Sequence, residues 1–138
     1  MKKILLIALS SLFLLMGCQE NPRNDITLDE ILSSFKEQKL ELQNNQVNRD
    51  SLFGMKLNGL KPKSYTLNVK PLFIYIYDSV DERKKGFEDF RDKTASSNIV
   101  SFKLYEVENV LLFYVHGQDL STELEVDADI QVALDRFK

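Results

Sequence analysis

An enzyme needs a nucleophile, an acid–base pair or a metal site, and this chain offers few side chains for any of them. Its 138 residues include one cysteine, Cys18, and one histidine, His116. His116 ends the apolar stretch Val110 to Val115 beside Gly117, where an imidazole more often caps a strand or faces solvent than ligates a metal. Gly-rich phosphate loops, His-based metal motifs and nucleophile elbows are missing from the sequence. Carboxylates remain, because hydrolysis by two acids leaves no compact motif. No acidic pair sits in an apolar context, so no catalytic residue, metal ligand or cofactor is assigned. Asp127 and Asp129 lack the loop spacing and glycine of a calcium site.

Charge is spread unevenly. Between residues 49 and 70, Arg49, Lys56, Lys61, Lys63 and Lys70 face only Asp50, whereas Glu106, Glu108, Asp119, Glu123, Glu125, Asp127, Asp129 and Asp135 stand in 104–135 without a lysine or arginine. The acids suit a helix start, where carboxylates complement the helix dipole. Lys56, Lys61 and Lys63 are candidate binding residues, either a solvated rim or a surface for anionic headgroups and wall polymers. Arg83-Lys84-Lys85 is expected on the wet face of a helix. Tyr75 and Tyr77 share one face of an apolar run, with Ile74 and Ile76 on the other. If helices cover only one face of the sheet, these tyrosines form an open contact surface; otherwise they are core with hydroxyls at the sheet edge.

The cysteine gains its meaning from what precedes it. Met1-Lys2-Lys3 is a positive start, and Ile4 to Met16 is an apolar run broken only by Ser10 and Ser11. A mature span of a ~30 Å hydrocarbon core needs about 20 residues, so this shorter run reads as a signal peptide. Leu15-Met16-Gly17-Cys18 resembles the lipobox of bacterial lipoproteins: an aliphatic residue, a small residue before the cut and a cysteine. The resemblance implies a diacylglyceryl thioether on Cys18, removal of residues 1–17 and, in many bacteria, acylation (palmitate being typical) of the new amino group. Two acyl chains anchor firmly where one does not. Gln19 to Asp25 is polar and broken by Pro22, so residues 18–25 read as a tether that reaches ~25 Å when extended.

The elements follow from pattern. Thr27-Leu28-Asp29-Glu30 is a capping box with Ile26 and Ile31 at the staple positions, so a helix starts at Thr27 and ends near Gln38. Residues 43–64 form a long connection of which part must pack on the core. Tyr65, Leu67 and Val69 alternate, Lys70-Pro71 interrupts, and Leu72 to Tyr77 is a strand apolar on both faces. Ser79-Val80-Asp81-Glu82 opens a second helix, with Val80, Phe87 and Phe90 inward and its end near Ala95. A second hairpin follows, Val100 to Val107 and Val110 to Val115 around Glu108-Asn109. A last helix spans about Leu120 to Phe137, with Leu124, Ile130, Ala133, Leu134 and Phe137 inward. Laying 72–77 over 110–115 gives an offset of 38, compatible with an internal duplication.

The expected domain is therefore α+β, residues 26–138, with a sheet of about four mostly antiparallel strands and helices packed on it, arranged as helix and then two strand-strand-helix units. Without Lys2 and Lys3 the chain holds 16 basic against 21 acidic residues, a net −5, which disfavours nucleic acid as a partner. The stretches 53–59, 61–67 and 105–114 resemble small lipoproteins of Gram-positive bacteria, a likeness that implies no chemistry for any residue. The expected protein sits on the extracytoplasmic face of the cell membrane through diacylglyceryl-Cys18. It acts there by binding an envelope protein or surface ligand, with a small carboxylate hydrolase as the alternative.

Overall fold

The computed structural model describes residues 25–44, 51–117 and 125–138. The peptide 1–17, Cys18, the tether up to Asn24, Arg49, Asp119, Glu123 and Leu124 lie outside the described residues. Helix α1 is Leu28–Glu37, strand β1 Gln43–Asn44, β2 Lys63–Leu67, β3 Lys70–Ile76, helix α2 Val80–Thr94, β4 Lys103–Val107, β5 Val110–Tyr114 and helix α3 Asp127–Asp135. The five strands are antiparallel in the order β1-β2-β3-β5-β4. The architecture is α+β with one more strand than expected. The addition is β1, whose Gln43 and Asn44 pair with Thr66 and Tyr65. A two-residue polar strand carries no period-2 signal, which is why it reads as part of the long connection.

Both sheet faces are covered. Leu67, Leu72, Ile74, Val107, Val110 and Leu112 meet α1 and α3 through Ile31, Phe35, Ile130, Ala133 and Leu134. Phe73, Tyr75, Leu111 and Phe113 meet α2 and the segment 51–60 through Phe90, Phe53 and Leu57. This settles why β3 from Leu72 onward and β5 throughout are apolar at every position: each of these residues faces one cluster or the other. The two strand-strand-helix units thus put their helices on opposite faces, and their turns at 68–69 and 108–109 lie 40 apart, which corrects the expected offset of 38.

Local chemistry sets the boundaries. Thr27 Oγ1 accepts from Glu30 N, and Glu30 Oε2 accepts from Thr27 N at 2.7 Å, completing the capping box, with Ile26 and Ile31 both in the core. Ser79 accepts from Glu82 N at 3.1 Å, and α2 ends at Thr94. The expected start of the last helix at Leu120 lies outside the described residues; Glu125 and Val126 form a turn before α3, in which Ile130, Ala133 and Leu134 are inward, and Phe137 beyond it is half-buried. The first hairpin turns at Asn68-Val69 rather than at Lys70-Pro71. Both turn residues have positive φ, 49° and 58°, as a two-residue loop with the right twist demands. Pro71 fits inside β3 because registered pairing with β5 begins only at Leu72, so its missing N–H costs no ladder bond there.

Candidate functional site

The face of β3 that carries Tyr75 and Tyr77, an open surface in one reading of the sequence and core in the other, is closed, and both residues belong to the core. Their relative exposures are 0% and 5%, their ring centroids are 6.1 Å apart and their planes lie within 8°. The cover is the segment 51–60. Its Phe53 sits 5.0 Å from Phe102, 5.6 Å from Phe90 and 5.6 Å from Phe113, centroid to centroid. Tyr75 Oη lies 2.9 Å from the Phe53 carbonyl and 2.7 Å from that of Met55, and Tyr77 Oη donates to the Leu57 carbonyl at 3.3 Å. The hydroxyls therefore pin the cover's backbone. Burial raises both phenols far above their ordinary range, Tyr75 also feeling Tyr77 and Asp89, and Tyr77 feeling Asp89.

The cover ends in a second tight turn. Leu57 and Leu60 exchange both backbone hydrogen bonds around Asn58 (φ 47°) and Gly59 (φ 79°). Helix α2 grips this turn: Asp89 Oδ2 accepts from Asn58 N at 2.7 Å, Glu82 Oε2 from Asn58 Nδ2 at 2.6 Å, and Lys93 donates to the Lys56 carbonyl at 2.8 Å. Lys93 and Asn58 hold the Asp89 carboxyl below its ordinary range, and Lys85 and Asn58 do the same for Glu82. These groups are solvent-screened, so each such pair contributes little. Burying Phe53 and Leu57 is worth more, about 1.5–3 kcal/mol per side chain, so apolar packing holds the cover and the polar contacts fix its register.

The basic candidates are not brought together. Lys56, Lys61 and Lys63 are all exposed. Lys56 lies in the cover on the α2 side, whereas Lys63 shares its strand face with Tyr65 and Leu67, which pack on the α1 and α3 side. Of the basic run in α2, Lys84 and Lys85 are exposed as expected, but Arg83 is not: it is 9% exposed and its guanidinium pairs with Glu106 of β4. Arg83 falls one turn after the helix start on the side facing the sheet, and its Nε has no hydrogen-bond partner among the described residues.

His116 also departs from expectation. It is 3% exposed and stacks on Tyr114 with centroids 6.3 Å apart. Burial lowers its proton affinity, helped by Lys103 and Lys70, against a hydrogen bond to the Phe102 backbone that raises it. Of the acidic set, Glu106 pairs with Arg83, and Asp127 accepts from Tyr105 Oη at 2.6 Å and Gln131 Nε2 at 3.0 Å beside Lys103 Nζ at 3.5 Å. Asp127 and Asp129 sit in the first turn of α3. Among the described residues no group of three or more His, Cys, Asp or Glu is placed to hold a metal, and no helix is long and apolar enough to cross a membrane.

Sequence reasoning missed two positions. Asn109, read as a turn residue, is 2% exposed: its Oδ1 accepts from Ile26 N at 2.8 Å, and its Nδ2 donates to the Ile26 carbonyl at 3.0 Å and the Tyr77 carbonyl at 2.8 Å. Gly86 is buried under Tyr77, whose Oη would lie 2.1 Å from a β-carbon there. A glycine inside a helix was the one available signal for the second. A cavity of about 870 Å³ opens beside this Asn109 clamp between Asp25, Thr27, Glu30, Glu108, Arg136 and Lys138. Comparison of the chain with protein-family models, with curated proteins and with solved structures found no match.

Proposed function

We propose that the protein is a lipid-anchored lipoprotein on the extracytoplasmic face of the cell membrane and that its domain acts there by binding an envelope protein. The observation that carries the reading is Leu15-Met16-Gly17-Cys18 at the end of the short apolar run, with the chain's one cysteine in place. Its tether is short and delivers to a fixed point, Ile26 at the Asn109 clamp. The sheet faces are consumed by packing, which leaves turns, edges and helix surfaces for a partner. The alternative, hydrolysis by carboxylates, calls for an acid held protonated near neutral pH. Glu30, Glu82, Asp89 and Asp127 are shifted downward instead, so none of these four is such an acid. Replacing Cys18 by alanine tests the anchor: the variant leaves the membrane fraction or accumulates with residues 1–17 attached. Unchanged fractionation and mass would refute it.

A further inference from the structure

Val69 is the most exposed large apolar residue among those described, at 89%, and it occupies a left-handed backbone conformation, φ 58°, at the second position of the β2–β3 turn. Glycine is what that position asks for; a β-branched residue there is strained. Among the described residues no packing offsets the strain, because 89% of the valine's surface is exposed. Strain retained without an internal benefit points to function. Position strengthens the case. Ile26, where the tether joins, is bonded to Asn109 beside Tyr77, past the far end of β3. Val69 precedes the start of β3, a strand of seven residues, so a strand length of ~23 Å separates the two.

The surroundings indicate what would receive it. Lys70 follows directly and makes no ion pair among the described residues, and Lys103, at the same end of the sheet, both acts on His116 and is answered by Asp127. From the valine knob, its conformation and this cation, and resting on the anchored-binder reading above, we infer that the Asn68-Val69 turn is the docking point. It faces away from the bilayer and inserts Val69 into an apolar pocket of a partner protein, with a carboxylate on the pocket rim meeting Lys70.

The test uses the full-length chain in its own membranes, with a photo-reactive phenylalanine analogue placed singly at positions 69, 100 and 132, the last two replacing the other exposed valines. The expected result is a heterologous adduct from position 69 alone, at least tenfold weaker when Lys70→Glu is added, with the cross-linked partner peptide lying beside an Asp or Glu. With that partner purified, Val69→Gly weakens binding at least tenfold while raising the thermal midpoint of the chain, an opposition that a misfolded variant does not produce. Adducts mainly from 100 or 132 would overturn the docking point and leave the binding reading standing. An adduct of twice the chain's own mass, or one indifferent to Lys70→Glu, would also overturn it. No adduct from any position would count against both.

Discussion

The side-chain amide of Asn109 pairs with both backbone groups of Ile26, 83 residues away, as a neighbouring strand would. It also donates to the Tyr77 carbonyl, while Tyr77 N donates back to the Asn109 carbonyl at 2.9 Å. One buried turn residue thus joins the start of α1 to the ends of β3 and β5. Both amide protons and the amide oxygen are used.

Asn109→Ala removes all three side-chain bonds and leaves the Ile26 N–H and two carbonyls unsatisfied in a buried place. At about 1–3 kcal/mol for a buried group left unpaired, and with partial relief by water, the expected loss is about 2–4 kcal/mol. Urea denaturation measures it. Hydrogen exchange adds a local signature, with faster exchange at Ile26 and the first turn of α1 before the sheet amides respond. Asn109→Asp is expected to do the same damage, since a carboxylate cannot donate to the Ile26 and Tyr77 carbonyls.

Gly86→Ala is a second sharp case. Alanine is ordinarily about 1 kcal/mol better than glycine inside a helix, yet the added carbon would sit 2.1 Å from Tyr77 Oη and 2.4 Å from its ring. Overpacking of that kind costs about 1–3 kcal/mol. The clash wins over propensity because the tyrosine is wedged between α2 and the cover. Thermal unfolding of Gly86→Ala should therefore show a lower midpoint, and Tyr77→Phe in the same chain should restore part of the loss, a non-additivity expected of touching residues.

For the cover, packing and polar contacts make different demands. Phe53→Ala empties the centre of the aromatic cluster and is expected to cost about 3–5 kcal/mol. Asp89→Asn removes an exposed pair with Lys93 and is expected to cost less than about 1 kcal/mol. Tyrosine fluorescence and denaturant midpoints distinguish the two. Equal losses would mean that polar contacts hold the cover.

Acid should weaken the fold before the carboxylates titrate. His116 has a lowered proton affinity when folded, chiefly from burial. As pH falls through about 6.5 the unfolded chain takes up the proton first, so this contribution is present above that value and is lost on going down towards the folded value. Glu82, Asp89 and Asp127 are also held low, and their contributions disappear further down, below their ordinary range near 4. Urea midpoints between pH 5 and 8 should decline below about 6.5 in the natural chain and stay flat for His116→Gln. A midpoint that rises on mild acidification would contradict this.

Those residues also show where sequence reading reached and where it stopped. The capping box at Thr27, the N-cap at Ser79 (whose Glu82 carboxylate turns to Asn58 and Lys85 and does not close a box), the strand at Leu72 to Tyr77 and the inward set Ile130, Ala133 and Leu134 are set by local chemistry and period, which a sequence displays. Whether Tyr75 faces solvent depends on what a distant, irregular segment does. Phe53 and Leu57 carry no periodic signal, and only the three-dimensional path of 51–60 places them on the tyrosines. Arg83 looked like part of an exposed basic run because its partner, Glu106, is 23 residues away. The turn at Asn68-Val69 was hidden because valine contradicts the turn's own preference.

The central claim rests on Cys18, and intact mass together with detergent partition of the natural full-length product tests it most directly. The account predicts that the mature chain begins at Cys18, carries the added mass of a diacylglyceryl group on that residue, and enters the detergent-rich phase when a nonionic detergent is warmed past its cloud point. A chain that stays in the aqueous phase with an unmodified Cys18, or that keeps residues 1–17, would contradict it.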